Sequence, residues 1–173
     1  MVSAPGSEFM YYCLDKYDLR KKKVLNVGCG GKKDAYFFEN IINIDLLDYS
    51  EITNFIKCDA EEMPFEDESF DVVILIDMLE HTKHPFKVLE EISRVLKKEG
   101  YLITVNTTRF KMHGDEIKGF EYPDYWRFNE AGIRLLLEEN EIKVIEEIIW
   151  EDGDVRKVHT LGKKEGYKFT VFA

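Results

Sequence analysis

The sequence predicts an α/β fold built on a parallel sheet, and three stretches carry that prediction. Lys23-Val24-Leu25-Asn26-Val27 is a short, mostly apolar run led in by a basic cluster and cut off by Gly28, Gly30 and Gly31. It reads as a buried strand that ends in a tight turn. Val72-Val73-Ile74-Leu75-Ile76 is apolar without interruption, as a central parallel strand covered on both faces should be. Between it and a further strand at 101–105, Phe86, Val88, Leu89, Ile92, Val95 and Leu96 recur at three-to-four spacing behind Pro85. That is the pattern of an amphipathic helix, here closed by Lys97, Lys98 and a C-cap at Gly100.

Composition narrows the class. A chain of 173 residues with 45% hydrophobic content suits one compact domain. Its formal charge of −10 argues against a nucleic-acid partner, because binding a phosphate backbone relies on Lys and Arg displacing counterions. The basic run Arg20-Lys21-Lys22-Lys23 is too short to reverse this and reads as a solvated sheet edge. Cys13, Cys29 and Cys58 are an odd number without C-x-x-C spacing, which suits a reducing cytoplasm better than a disulfide framework. No apolar run reaches the ~20 residues of a membrane span, and no leader pattern is present. Charged residues make up 34% of the chain and Gln is absent, a composition that points to a thermophile. Residues 1–9, with Gly6-Ser7-Glu8-Phe9 before Met10, read as an expression-vector scar to be left out of fold reasoning, with the native domain at 10–173.

In order along the chain, the glycine turn comes first. Gly28, Gly30 and Gly31 can take positive φ and carry no Cβ, so a ligand can lie against bare amides at the strand's carboxyl end. A dinucleotide fingerprint would need glycine three residues after Gly30, where Lys33 stands. Residues 32–40 leave room only for a truncated helix or an irregular loop. Ile41-Ile42-Asn43-Ile44-Asp45 is the second strand. A carboxylate at its tip can accept from both hydroxyls of a ribose, and the plainer alternative is a solvated strand-end aspartate. Residues 54–58 form a third strand, followed by Asp59 and Ala60. After the strand at 101–105, residues 106–128 interleave aromatic residues with Gly and Pro and read as a long binding loop or lid, or else as satellite core packing. The same aromatic residues are a candidate dimer face. Asn129 N-caps a helix carrying Ile133, Leu135, Leu136 and Leu137. Two strands, 142–150 and 167–172, close the chain.

Several phrases share one resemblance. "LNVGCG" at 25–30, "MPFEDESFD" at 63–71, "MLEH" at 78–81, "ISRVLKKEGYLI" at 92–103 and "DYWRFNEAGIRLLLEE" at 124–139 resemble, in the same order, the class I S-adenosylmethionine-dependent methyltransferases of the type 11 kind. The resemblance implies a single doubly wound, Rossmann-like sheet of seven strands with the last antiparallel, and S-adenosylmethionine as cofactor with S-adenosylhomocysteine as product. It implies that Gly28 and Gly30 approach the methionine part, Asp45 the ribose, Asp59 with Ala60 the adenine amine, and Asp77 the charged end. Asn26 replaces the commoner aspartate and removes a negative charge near the cofactor's ammonium group. The Asn/Asp-Pro-Pro-Tyr/Phe element of base-amine methyltransferases is missing, which leaves a small hydroxylated or amine-bearing acceptor, such as a sugar, for O- or N-methylation. Histidine is the side chain whose unperturbed pKa lies near neutrality, and His81 sits just past the fourth strand, so it is the candidate base; the alternative is a helix cap or a bond to a loop carbonyl. His81 and His84 lack a third ligand for zinc, so no metal is expected. The rival function is a non-catalytic, nucleoside-binding regulatory module of the same fold.

Overall fold

The computed structural model describes residues 5–30, 38–111, 115–117 and 120–166. In chain order they form α1 (Pro5–Lys16), β1 (Lys23–Val27), β2 (Asn40–Asp45), β3 (Phe55–Lys57), β4 (Phe70–Ile76), α2 (Pro85–Val95), β5 (Leu96–Arg109), β6 (Asp115–Ile117), β7 (Phe120–Tyr122), α3 (Glu130–Glu139), β8 (Ile142–Asp152) and β9 (Val155–Lys164). Seven strands make one sheet in the order β3-β2-β1-β4-β5-β9-β8. The pairings from β3 through β5 are parallel, and β9 runs antiparallel to both β5 and β8. Strand order reverses between β1 and β4, so the crevice for a ligand opens above their carboxyl ends.

The central strands are apolar on both sides because both sides are covered. Leu25, Val27, Val73 and Leu75 pack with Val88, Leu89 and Ile92 of α2 and Leu136 of α3. On the opposite face Val24, Val72, Ile74 and Ile103 pack with Phe9, Met10, Cys13 and Leu14 of α1.

Three expectations are revised. The helix read as running to Gly100 ends at Val95, where Leu96 turns extended with ψ 128 and starts β5. Gly100 instead lies within β5, at the register shift between Leu96 and Tyr101, where a Cβ would lie 2.7 Å from the Lys97 carbonyl and 3.0 Å from that of Asp71. The closing hairpin uses 155–164 as its second strand, joined to β8 through Gly153 at φ +54. The stretch 167–172 lies outside the described residues, as does most of the crossover at 32–40. The supposed structureless loop at 106–128 contains the end of β5 and the β6–β7 hairpin. Within the segment set aside at 1–9, Phe9 belongs to α1 and is buried edge-on against His159.

Candidate active site

The glycine turn after β1 is fastened to β2. The amides of Gly28 and Cys29 donate to the Ile44 carbonyl at 2.9 and 3.1 Å. The next anchor is Asp45 at the tip of β2: its Oδ2 accepts from the Gly30 amide at 2.9 Å and its Oδ1 from the Leu47 amide at 3.0 Å. Asp45 is 7% exposed, so these bonds compete with little water. Gly28 (φ +69) is packed, since a Cβ would lie 2.6 Å from Met78 Cγ. For Gly30 (φ +58) the nearest atom to a built Cβ among the described residues is the Gly28 carbonyl oxygen at 4.0 Å. The turn therefore presents bare backbone on one side and is supported on the other.

Asn26 belongs to the sheet. Its Nδ2 donates to Asn43 Oδ1 at 3.0 Å, and Asn43 in turn donates to the Thr53 carbonyl at 3.1 Å. Beyond β3, the Cys58 amide donates to the Asp45 carbonyl at 3.0 Å, which places Asp59 and Ala60 beside the same strand end. Asp59 is exposed and its Oδ1 accepts from the Glu61 amide at 2.9 Å, while Ala60 is buried. Gly28, Gly30, Asp45, Asp59 and Ala60 thus gather around the tips of β1, β2 and β3.

Asp77 closes β4 with a left-handed φ of +46, a conformation that costs a non-glycine residue energy and clusters at functional sites. Its carboxylate is already engaged: Oδ1 accepts from Thr107 Oγ1 at 2.9 Å, and Oδ2 pairs with Lys157 Nζ of β9. The charge expected at the cofactor's charged end is thus neutralised within the sheet. A 3₁₀ turn, Leu79–His81, follows. The Glu80 carbonyl accepts from the amides of Tyr125 and Trp126 at 2.8 and 3.2 Å, and Trp126 Nε1 donates to the Thr82 carbonyl at 2.8 Å. His81 Nδ1 lies 3.2 Å from the Pro123 carbonyl. A carbonyl only accepts, so neutral His81 carries its proton on Nδ1 and its lone pair on Nε2. These bonds stitch the aromatic segment 123–126 to the turn that bears His81.

Sequence reading missed Glu80, whose side chain is 2% exposed. Burial first, and then the nearby Asp77 charge, push its carboxyl up to about 7. Met78 against Gly28 and Lys157 on Asp77 were also missed, and no local pattern marks either of them. Asn43 did leave a signal, an amide set between Ile42 and Ile44. His84 is directed to Glu61 at 2.9 Å rather than sharing a ligand with His81. Among the described residues no three His, Cys, Asp or Glu side chains gather as a metal site.

Comparison with known proteins agrees with the fold. Residues 25–104 match the family model of a methyltransferase domain. Phthiotriol/phenolphthiotriol dimycocerosates methyltransferase 1 of Mycobacterium ulcerans is 46% identical over 50 residues, covering 29% of this chain and 18% of that protein. The chain spans less than half the length of the first curated relatives it matches. A SAM-dependent methyltransferase from Methanosarcina mazei superposes with a TM-score of 0.75 at 16% identity, covering 88% of this chain and 96% of that one. The 1,6-didemethyltoxoflavin-N1-methyltransferase of Burkholderia thailandensis, solved with 1,6-didemethyltoxoflavin and S-adenosylhomocysteine, gives a TM-score of 0.73 at 16% identity over 95% and 80%. At these identities the superpositions establish a common fold.

Proposed function

We propose that this chain, which belongs to the class I S-adenosylmethionine-dependent methyltransferases, transfers the cofactor's methyl group to a small acceptor held above the carboxyl ends of β4 and β5. The observation that carries this reading is the joined Gly30–Asp45–Leu47 brace, with the Gly30 backbone uncrowded among the described residues. Such a cradle fits a nucleoside cofactor, because amides and a carboxylate are fixed in place before the ligand arrives.

Asp45 would hold the ribose with the acceptor capacity its two amide bonds leave over, Gly28 and Gly30 would line the methionine part, and Asp59 with Ala60 would meet the adenine. Asn26 acts at one remove, by holding β1 to β2. Asp77 acts by fixing the end of β4 through Thr107 and Lys157. When bound, the cofactor supplies an electrophilic methyl group on a sulfonium, so the protein's task is mainly alignment, worth up to about 7–11 kcal/mol of barrier. Where the acceptor is a hydroxyl or amine, its proton passes to His81, whose ring is oriented by the Pro123 carbonyl.

Tyr125 and Trp126, 43% and 39% exposed, flank His81 through the bonds that tie 123–126 to its turn. They offer ring faces to an acceptor with an apolar side, such as a sugar or another small metabolite. The net charge of −10 disfavours a nucleic-acid acceptor.

Calorimetric titration with S-adenosylmethionine and S-adenosylhomocysteine tests the cofactor, and absence of heat from both at millimolar concentration would end the reading. A metabolite screen then tests turnover: binding without product on any acceptor would leave the nucleoside-binding module instead. A His81→Ala variant that methylates within twofold of wild type would remove His81 as the base.

A further inference from the structure

The segment between β3 and β4 carries Asp59 and Ala60, yet little sheet structure supports it. β3 is a three-residue edge strand, and 58–69 contains neither helix nor strand. Its position is set from outside, by α2. Arg94 spends all five of its N–H donors here: Nε on Glu91 Oε1 at 2.7 Å, Nη1 on the Phe65 carbonyl at 2.7 Å and Asp67 Oδ1 at 2.8 Å, and Nη2 on the Met63 carbonyl at 3.0 Å and Glu91 Oε2 at 2.8 Å. Glu91 Oε2 also accepts from the Met63 amide at 2.9 Å. Both polar groups of the Met63 backbone are thus held by one ion pair. Immediately upstream, Asp59 is locked in a turn, its Oδ1 accepting from the Glu61 amide and its carbonyl from the Glu62 amide at 3.2 Å. No slack separates Arg94 from Asp59.

Building on the cofactor assignment above, we propose that Arg94 and Glu91 are positioning residues for the adenine edge of the cofactor, fixing Met63 and Phe65 so that Asp59 and Ala60 meet the adenine amine. Burial alone would not do this. Met63 and Phe65 pack into the core, Phe65 edge-on to Phe70 at 5.0 Å, but apolar packing is non-directional and tolerates sliding, whereas the planar guanidinium fork fixes two carbonyls at once. Lysine keeps the charge opposite Glu91 and cannot reproduce that fork.

The test compares affinities for S-adenosylhomocysteine and S-inosylhomocysteine, in which a carbonyl replaces the amine, by calorimetry on the full chain. Wild type should prefer the adenosine form by about tenfold or more, because an unmatched polar group at the amine position costs a hydrogen bond. In Arg94→Lys, and independently in Glu91→Gln, the preference should fall toward unity while the affinity for the inosine form changes less than about threefold. Lys97→Met controls for stability alone: it removes the Lys97–Asp71 ion pair elsewhere, with Nζ 2.8 Å from Oδ1, and should lower the melting temperature while leaving the preference intact. Full preference retained in either Arg94→Lys or Glu91→Gln overturns the proposal, as does a wild type that binds both nucleosides equally. A wild type that binds neither nucleoside refutes the cofactor assignment itself.

Discussion

Replacing Glu80 by Gln should make the protein more stable at alkaline pH, and the size of the gain follows from where the carboxyl sits. The side chain is 2% exposed and next to Asp77, and its carboxyl is raised from 4.5 to about 7. The folded protein therefore holds this proton more tightly than the unfolded chain does. Stability from this site is complete below pH 4.5 and is lost as pH rises through 7. At about 1.4 kcal/mol for each tenfold change in proton affinity, the loss reaches about 3 kcal/mol. Glutamine has the shape of the protonated acid and cannot ionise. Urea denaturation of both proteins at intervals from pH 4.5 to 9 should show the variant gaining on wild type between pH 4.5 and 7, then holding a constant lead of about 3 kcal/mol. Any fixed offset from the amide cancels, since only the pH dependence is at issue. A difference that stays flat across this range, or that moves in favour of wild type as pH rises, would refute the assignment of a buried, proton-holding carboxyl.

Three other perturbations are equally specific. His159 is 1% exposed with neither ring nitrogen hydrogen-bonded among the described residues, and burial pulls its imidazole down from 6.5 to about 4. Its stabilising contribution is complete above pH 6.5 and is lost as pH falls toward 4, so His159→Phe should flatten that acid limb and gain about 2 kcal/mol on wild type by pH 5 in denaturation assays. Lys164 Nζ caps α2 by donating to the carbonyls of Ser93 and, at 2.9 Å, Leu96; Lys164→Met should cost about 1–3 kcal/mol with an unchanged urea m-value. Gly28→Ala collides with Met78, whereas among the described residues Gly30→Ala meets only an unfavourable φ. The first should destabilise severely and the second by about 1–2 kcal/mol, with calorimetry showing nucleoside binding lost in both.

Much of the fold was legible because burial writes itself into apolar runs. The strand at 71–76 is the clear case: a central parallel strand has no solvated face, so β4 reads as an unbroken hydrophobic word. The helix cap at Asn129 was legible too, its side chain accepting from the Gly132 amide at 2.9 Å. β9 was not, and its charges explain why. Arg156, Lys157, Lys163 and Lys164 look like a solvated linker, yet Lys157 pairs with Asp77, Lys163 with Glu99, and Lys164 caps a helix. Each partner is far away in sequence, so nothing local distinguishes this strand from a loop. The boundary of α2 failed for a related reason: Leu96 continues the helical spacing but pairs with Phe70 in the sheet, and tertiary pairing overrides local periodicity.

The same logic changes what Asn26 means. In sequence it reads as a charge removed from a ligand site; in three dimensions its amide nitrogen serves Asn43 Oδ1, and Asn43 is 2% exposed with its own nitrogen on the Thr53 carbonyl. An aspartate at position 26 would set acceptor against acceptor inside the sheet, at a cost of about 1–3 kcal/mol for the unmatched group. Neutrality at position 26 is therefore fixed by the sheet interior before any ligand is considered. Asp77 is silenced in a different way, by Lys157. Asp45 differs from both, because among the described residues its carboxylate accepts only from backbone amides, which stabilise its charge without cancelling it. Asp45 and the exposed Asp59 thus keep charges that no cation among the described residues cancels, and Asp45 is bonded directly to the glycine turn that, under the proposed function, the ligand would touch.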